Sequence, residues 1–479
     1  SSFSNVQSLE GGAGNDTFAV GLSGSLTRDI QGGTGTDTLT GPNNGNRFIV
    51  SGLNAGELQN SAGTTRINTS TLAATGFSGV ENLTGGSGSD LFTVNNGVTL
   101  DGAIRGLGGS DTVTLNSGAT VSGGVSGGAA ADTITVTGGG TVTANVNGDA
   151  GNDTLTLAGT TNLNGAFDGG ADADTFVSMS TVSTLFQITG TDAGSVVGRG
   201  ATFTNVENLT GAANLADTFQ FEGGTLSGTI DGGATTNASE NDTVLGSTTG
   251  DVFTITTVDG GTATVGGVTA TLTDIETIDG RSGDDSFTVA SAAGLSGSLL
   301  GGAGNDSLTG SGDNETFTIV AGTPNAGTLN NSGAANPDVT FTSVENLNGG
   351  AGNDTFNVND VLSGNLDGGL GTNALNLIGA GIVNGTVSNV NVTITAAATE
   401  DTFADNFIVR LNGGVLEVLV DQTAAALGVT TTQYFTPGIN TSIALTIQGS
   451  DDADTLTVDY DFGGPVDADI TFTAGGTAS

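Results

Sequence analysis

The chain has 479 residues, with seven Arg and no Lys against 49 Asp and Glu for a formal net charge of −42, and it contains no Cys, His or Trp. A field of that sign repels phosphate backbones and anionic membranes, which excludes nucleic acid as a partner. No stretch approaches the roughly eighteen apolar residues of a membrane helix, so no membrane insertion is expected, and no signal-peptide pattern opens the sequence.

From the N-terminus, the motif FSNVQSL at 3–9 leads into two glycine-rich loops that end at Asp16 and Asp37, 21 residues apart. A longer interval follows, read as two coils with a surface insertion at 51–66, and it closes on FSGVENL at 77–83. Then Asp90, Asp111, Asp132, Asp153 and Asp174 recur at a constant 21 residues, each opening a Thr-rich apolar run such as Leu91-Phe92-Thr93-Val94 or Thr133-Ile134-Thr135-Val136. A fixed period of this size marks a solenoid.

Counted from each Asp, large apolar residues fall at positions +2, +4, +10 and +14: Phe92, Val94, Leu100 and Ile104 in one copy, Val113, Leu115, Val121 and Val125 in the next. Spacing by two is strand periodicity, so the reading is two short strands per coil with alternate side chains inward. The small residue at +12 (Gly102, Gly123, Ala144, Gly165) is read as the inward position that leaves room for an opposing Phe or Leu.

Beyond Asp174 the same interval returns with skipped beats, at Asp217, Asp242, Asp285, Asp306 and Asp354, with FTNVENL at 203–209, FTSVENL at 341–347 and a second insertion at 321–338. The expected architecture is all-β: a parallel β-solenoid of about 21-residue coils, regular over 1–373 and divergent over 374–479, continuing one stack. One coil alone cannot bury enough to offset its ordering entropy, and stacking with neighbours supplies the rest.

Chemistry could reside in the loop before each Asp. Five copies are complete GGxGxD, ending at Asp16, Asp37, Asp90, Asp306 and Asp354; others are decayed, such as GGAAAD at 127–132, AANLAD at 212–217, and the copy in which Asn373 replaces Asp. On these motifs the chain resembles the haemolysin-type (RTX) calcium-binding repeats of secreted bacterial proteins. It resembles more closely the large bacterial β-strand-repeat surface proteins that combine VENLTGG with GNDTF. The resemblance implies calcium held between successive turns by Asp and loop carbonyls, although RTX repeats are nine residues long and this period is 21. Two readings stand side by side. Calcium would sit where neighbouring coils keep their loops, at Asp16 with Asp37, Asp90 with Asp111, and Asp285 with Asp306, because Ca²⁺ takes hard oxygen ligands. Alternatively, Asp closes each turn by accepting backbone N–H groups, with Gly supplying positive φ.

An enzyme is not expected, because Asp recurs identically from coil to coil and no His or Lys is present to support it. The Thr-x-Thr rows at Thr112/Thr114, Thr133/Thr135 and Thr154/Thr156 resemble ice-binding arrays, yet Thr is also an ordinary exposed strand residue. The composition suits an extracellular structural protein on a bacterial surface. It is expected to form a fibre or matrix filament by head-to-tail stacking of uncapped ends, from near Phe3 to Thr455–Val458 of the next copy. The alternative is the stalk of a giant secreted calcium-binding adhesin, with flanking repeats as partners.

Overall fold

The structure is a computed structural model that describes residues 8–21, 29–60, 76–159, 161–234, 240–331, 337–378 and 381–395, together with the strands Asp405–Asn412, Val415–Gln422, Thr430–Pro437, Ile443–Gln448, Thr455–Asp459 and Ala468–Thr473. Every regular element among these residues is a β-strand, and no helix is long and apolar enough to cross a membrane. The chain forms two compact units, Ser1–Thr243 with Gly266–Asp274, and Val244–Val265 with Ile275–Ser479.

In the first unit the 21-residue clock is a register. Leu91–Val94, Thr112–Leu115, Thr133–Val136, Thr154–Ala158 and Thr175–Met179 pair in parallel, Phe92 beside Val113 beside Ile134 beside Leu155 beside Phe176. A second parallel ladder joins Asn82–Gly86, Ile104–Gly108, Val125–Ala129, Val146–Ala150 and Ala166–Ala171. A third, short one joins Thr99–Leu100, Thr120–Val121 and Thr141–Val142. These coils therefore have three strand segments where the sequence suggested two. The +10 residue lies on a side of its own because the turn around Gly97 separates it from the first strand, with φ +64° at that glycine.

The inward positions match expectation: all sixteen +2, +4, +10 and +14 residues of the four coils starting at Asp90, Asp111, Asp132 and Asp153 are buried. Of the Phe residues at +2, Phe92, Phe176, Phe219, Phe287 and Phe356 are fully buried, and Phe18 is half-buried. The +12 residue is a correction. Ala144 is exposed and Gly102 and Gly123 lie at a corner; a Cβ on Gly165 would come 2.2 Å from the carbonyl oxygen of Ala144 in the coil before. Close backbone stacking, not an opposing ring, keeps this position small.

The longer intervals contain hairpins. Asn46–Gly52 runs parallel to Leu91–Val94, then turns at Asn54 (φ +49°) into Ala55–Asn60, which is antiparallel to it and to Phe77–Ser78. A reversed strand is thus inserted into an otherwise parallel sheet. Leu185–Gly190, Ala193–Val196 and Ala201–Thr204 repeat this on the opposite sheet, between Ala166–Ala171 and Thr218–Phe221. The Asp loops change edge at each hairpin. The strands after Asp16 and Asp37 join one sheet, those after Asp90 to Asp174 the other, and those after Asp217 and Asp242 the first again.

The second unit follows the same rules. Ser286–Val289, Ser307–Thr309 and Asn346–Asn348 pair in parallel, while Thr316–Ile319, Gly327–Asn330 and Val339–Thr342 form the reversed insertion. A second parallel ladder runs through Thr355–Val358, Ala374–Ile378, Asn391–Thr395, Ile443–Gln448 and Ala468–Thr473. The loosened pattern after residue 374 includes a long antiparallel meander of Asp405–Asn412, Val415–Gln422 and Thr430–Pro437. Within both units the hairpin coil stacks a Phe ring on the next coil: Phe48 on Phe92 at 4.8 Å, Phe186 on Phe219 at 5.0 Å, Phe253 on Phe287 at 5.3 Å and Phe317 on Phe356 at 4.8 Å.

Candidate functional site

The recurring aspartates point into the stack. Asp37, Asp90, Asp111, Asp132, Asp153, Asp174, Asp285 and Asp306 are each no more than 3 % exposed, and Asp16 is half-buried. Where two Asp are 21 residues apart, Oδ1 of the later one accepts the main-chain N–H of the earlier one. The distance is 2.7 Å from Asp16 to Asp37, 2.6 Å from Asp90 to Asp111 and from Asp111 to Asp132, 2.7 Å from Asp132 to Asp153 and from Asp153 to Asp174, and 2.8 Å from Asp285 to Asp306. All donors precede their acceptors in sequence, so the columns have one polarity.

The first glycine of the loop is required by the same aspartate. A Cβ on Gly106 would lie 2.0 Å from Oδ2 of Asp111 and 2.3 Å from the carbonyl oxygen of Gly127, so only a bare Cα fits between carboxylate and next coil. The decayed loops keep this contact. Gly127 covers Asp132, and Gly211, one residue before the span read as lacking every glycine, covers Asp217. The second loop position needs positive φ, yet the chain places Leu107 (φ +79°) and Asp149 (φ +78°) there as well as Gly128 (φ +118°).

Three further parts were invisible as roles in the sequence. The Glu of VEN ends three of the columns: Oε2 of Glu81, Glu207 and Glu345 accepts the N–H of Asp37, Asp174 and Asp306 at 2.7, 2.8 and 2.9 Å. The Asn after it grips both neighbours, as Asn208 Nδ2 donates to the Asp174 carbonyl at 3.0 Å while its Oδ1 accepts the N–H of Thr229 at 3.0 Å. The residue before Asp forms a second ladder of opposite sense, with Asn15 Oδ1 accepting from Thr36 N–H at 2.9 Å and Asn353 Oδ1 from Thr372 N–H at 2.8 Å. The signal for these roles was the recurrence of VEN and GND, but their partners lie one coil away.

Burial dominates the electrostatics. It pushes the carboxyls of Asp90, Asp132, Asp153 and Asp174 up to about 6, and those of Asp111 and Asp285 up to about 7, against the relief given by each amide hydrogen bond. The neighbouring carboxylates of the column add to the rise at Asp111, Asp153, Asp174 and Asp285.

The structure thus brings Asp16 to Asp37, Asp90 to Asp111 and Asp285 to Asp306 within one hydrogen bond of each other, through an amide and not through a shared cation. Calcium takes about six to eight oxygens. Here Oδ1 of Asp37, Asp90, Asp111, Asp285 and Asp306 accepts an N–H donor, and Oδ2 of all six is buried under a glycine Cα without a hydrogen-bond donor. No group of three acidic side chains that could hold a metal is found among the described residues. Asn373, where the motif loses its Asp, still accepts the Asp354 N–H at 2.8 Å, so the column works with a neutral acceptor that retains only the oxygen.

Fold and columns together define a parallel β-solenoid repeat protein whose recurrent polar residues bind coil to coil. No protein-family model matches the chain, the haemolysin-type repeats included, and no curated protein matches it in sequence. Among solved structures it is similar to a hyperactive, Ca²⁺-dependent, β-helical antifreeze protein from an Antarctic bacterium, at 17 % identity over 82 % of this chain and 85 % of that one, with a TM-score of 0.13.

Proposed function

We propose that this chain is a structural element of an extracellular filament or matrix on a bacterial surface, in which solenoid units stack end to end. The observation that carries the reading is the polarity of the aspartate columns. Each coil offers N–H donors to the coil after it and carboxylate acceptors to the coil before it, as Asp111 does toward Asp132 and Asp90. A stack built this way presents unlike faces, and contact between unlike faces propagates without closing. Parallel strands with unpaired ladder groups are also a template for further pairing. The net charge of −42 would keep neighbouring filaments apart at low salt. Of the proposed joint, residues 3–7 fall outside the described residues, while Thr455–Val458 belong to the strand Thr455–Asp459, which pairs in parallel with Asp405–Asn412.

The test is to purify residues 1–479 and examine them by light scattering and electron microscopy across a concentration series. Filaments whose axial repeat equals one chain are expected. A monomer that persists at high concentration would reject self-assembly and leave the chain as a stalk within a longer array.

A further inference from the structure

The outward side of one sheet in the first unit is set apart by what it lacks. Leu91–Val94, Thr112–Leu115, Thr133–Val136, Thr154–Ala158, Thr175–Met179 and Asn208–Thr210 pair in parallel, and none of them contains a charged residue, in a chain whose net charge is −42. One outward column runs Leu91, Thr112, Thr133, Thr154, Thr175 and Asn208. The second, two residues on, runs from Thr93 through Thr135 to Val177 and Thr210, so nine of these twelve positions are Thr. Met179, 59 % exposed, follows Val177 on the same side of its strand. Charge returns at the borders, at Arg47 beside Leu91 and at Asp231 beside Thr210.

Strand propensity alone does not produce this face. The opposite sheet of the same coils obeys the same geometry, yet its outward columns are mixed: Arg105, Ser126, Asn147 and Asp168 lie side by side, and Asp149 stands between Gly128 and Gly170. Thr favours strands on both sides equally, so the sorting of charge onto one side points to a neighbour on the other. A hydroxyl both donates and accepts hydrogen bonds. A row of Thr can therefore face a copy of itself, which a row of carboxylates cannot. The Thr side chains are half-buried in the single chain, apart from the exposed Thr133 and from Thr156 at 8 %.

We propose that this face is a lateral docking surface for a second copy of the chain, two solenoids meeting Thr face to Thr face about a two-fold axis. Charge selects the occupant. Two copies of net charge −42 repel wherever their acidic surfaces approach, whereas these six strands can meet their own image without bringing like charges together. Contact between identical patches is isologous and closes as a pair. The patch measures about 24 Å along the stack and about 10 Å across, from a strand spacing of about 4.8 Å and a rise of about 3.3 Å per residue. That lies well below the roughly 800 Å² per partner of a stable interface, so single chains pair weakly. In the proposed filament the patch recurs once per chain and the contacts add; this last step rests on the filament reading, and the pairing itself does not.

The chain has no Cys, so a single introduced cysteine reports on the contact. Thr135 lies in the middle of the face, and Thr135→Cys in the full chain at high concentration should be trapped as a disulfide-linked dimer on mild oxidation at about 0.15 M salt, where exposed charges are screened beyond about 8 Å. Ser126→Cys, on the opposite sheet, should stay monomeric under the same conditions. Adding Thr114→Asp to Thr135→Cys places a carboxylate on the face and should lower the dimer yield by about tenfold or more, with circular dichroism confirming that each variant is folded. Equal trapping from both faces, no trapping through Thr135→Cys, or a yield unmoved by Thr114→Asp would overturn the proposal. So would arrest of ice growth by the wild type that Thr114→Asp abolishes while no dimer is trapped, which would give the face to ordered water. Trapping is read on denaturing gels and needs no filament. Dimers without filaments in the microscope would reject the end-to-end reading alone, and filaments without trapped dimers would reject the lateral one alone.

Discussion

The main-chain N–H of Asp111 donates to Oδ1 of Asp132 at 2.6 Å, and the N–H of Asp132 in turn donates to Asp153 at 2.7 Å. The side chain that recurs every 21 residues is therefore part of the backbone ladder. It satisfies an amide at the corner, where the strands have ended and the sheet can no longer do so.

Removing that acceptor exposes its worth. Asp132→Ala should leave the Asp111 amide buried and unpaired and cost about 1–3 kcal/mol, whereas Asp132→Asn should cost far less, because Asn373 performs this task natively. Denaturant melts of both variants at pH 8 decide the matter; equal losses would contradict the amide-capping role.

The columns also set a pH dependence. Because burial raises Asp90, Asp111, Asp132, Asp153, Asp174 and Asp285 to about 6 or 7 in the folded state, their contribution is complete below the ordinary Asp range and declines as pH rises toward 7. Each unit of raised pKa corresponds to about 1.4 kcal/mol, less where neighbours in a column titrate together. Thermal melts should give a higher Tm at pH 5 than at pH 8, and a Tm that climbs with pH over this range would refute the assignment.

Glycine substitutions should split by position. Gly106→Ala places a Cβ 2.0 Å from Asp111 Oδ2 and against the Gly127 carbonyl, and it should be strongly destabilising. Leu107→Gly, one residue on, relieves a φ of +79° in an exposed side chain and should stabilise by about 1 kcal/mol. Chemical denaturation measures both signs.

In the core, Phe92 stacks on Phe48 at 4.8 Å with an interplanar angle of 5°. Phe92→Ala should cost about 3–5 kcal/mol, read as a drop in unfolding midpoint together with faster hydrogen exchange in the strands on either side. Unchanged protection in Asn46–Gly52 would show that the stack carries little.

Chelation offers a separate check on the columns. With Oδ1 of Asp37, Asp90, Asp111, Asp285 and Asp306 already accepting N–H donors, EDTA should leave Tm within about 2 °C of its value in millimolar calcium. A larger drop would assign calcium to oxygens on the outer face of the loops.

Much of this was written in the order of residues. The 21-residue interval, the apolar positions +2, +4, +10 and +14, and the burial of Phe92, Phe176 and Phe287 follow from strand alternation and the need to stack, both of which act on residues near in sequence. Tertiary structure alone decided which partner each polar side chain finds. Glu81 caps Asp37 from 44 residues away and Glu207 caps Asp174 from 33, distances fixed by the reversed strands that the insertions fold into. It also decided that the loops change edge at each hairpin, and that a carboxylate suited in composition to calcium is used on an amide. The physical reason is common to all three: a hydrogen bond or a coordination shell depends on which groups arrive at one point in space. In a solenoid that point is shared by residues one coil apart, and every insertion resets the count.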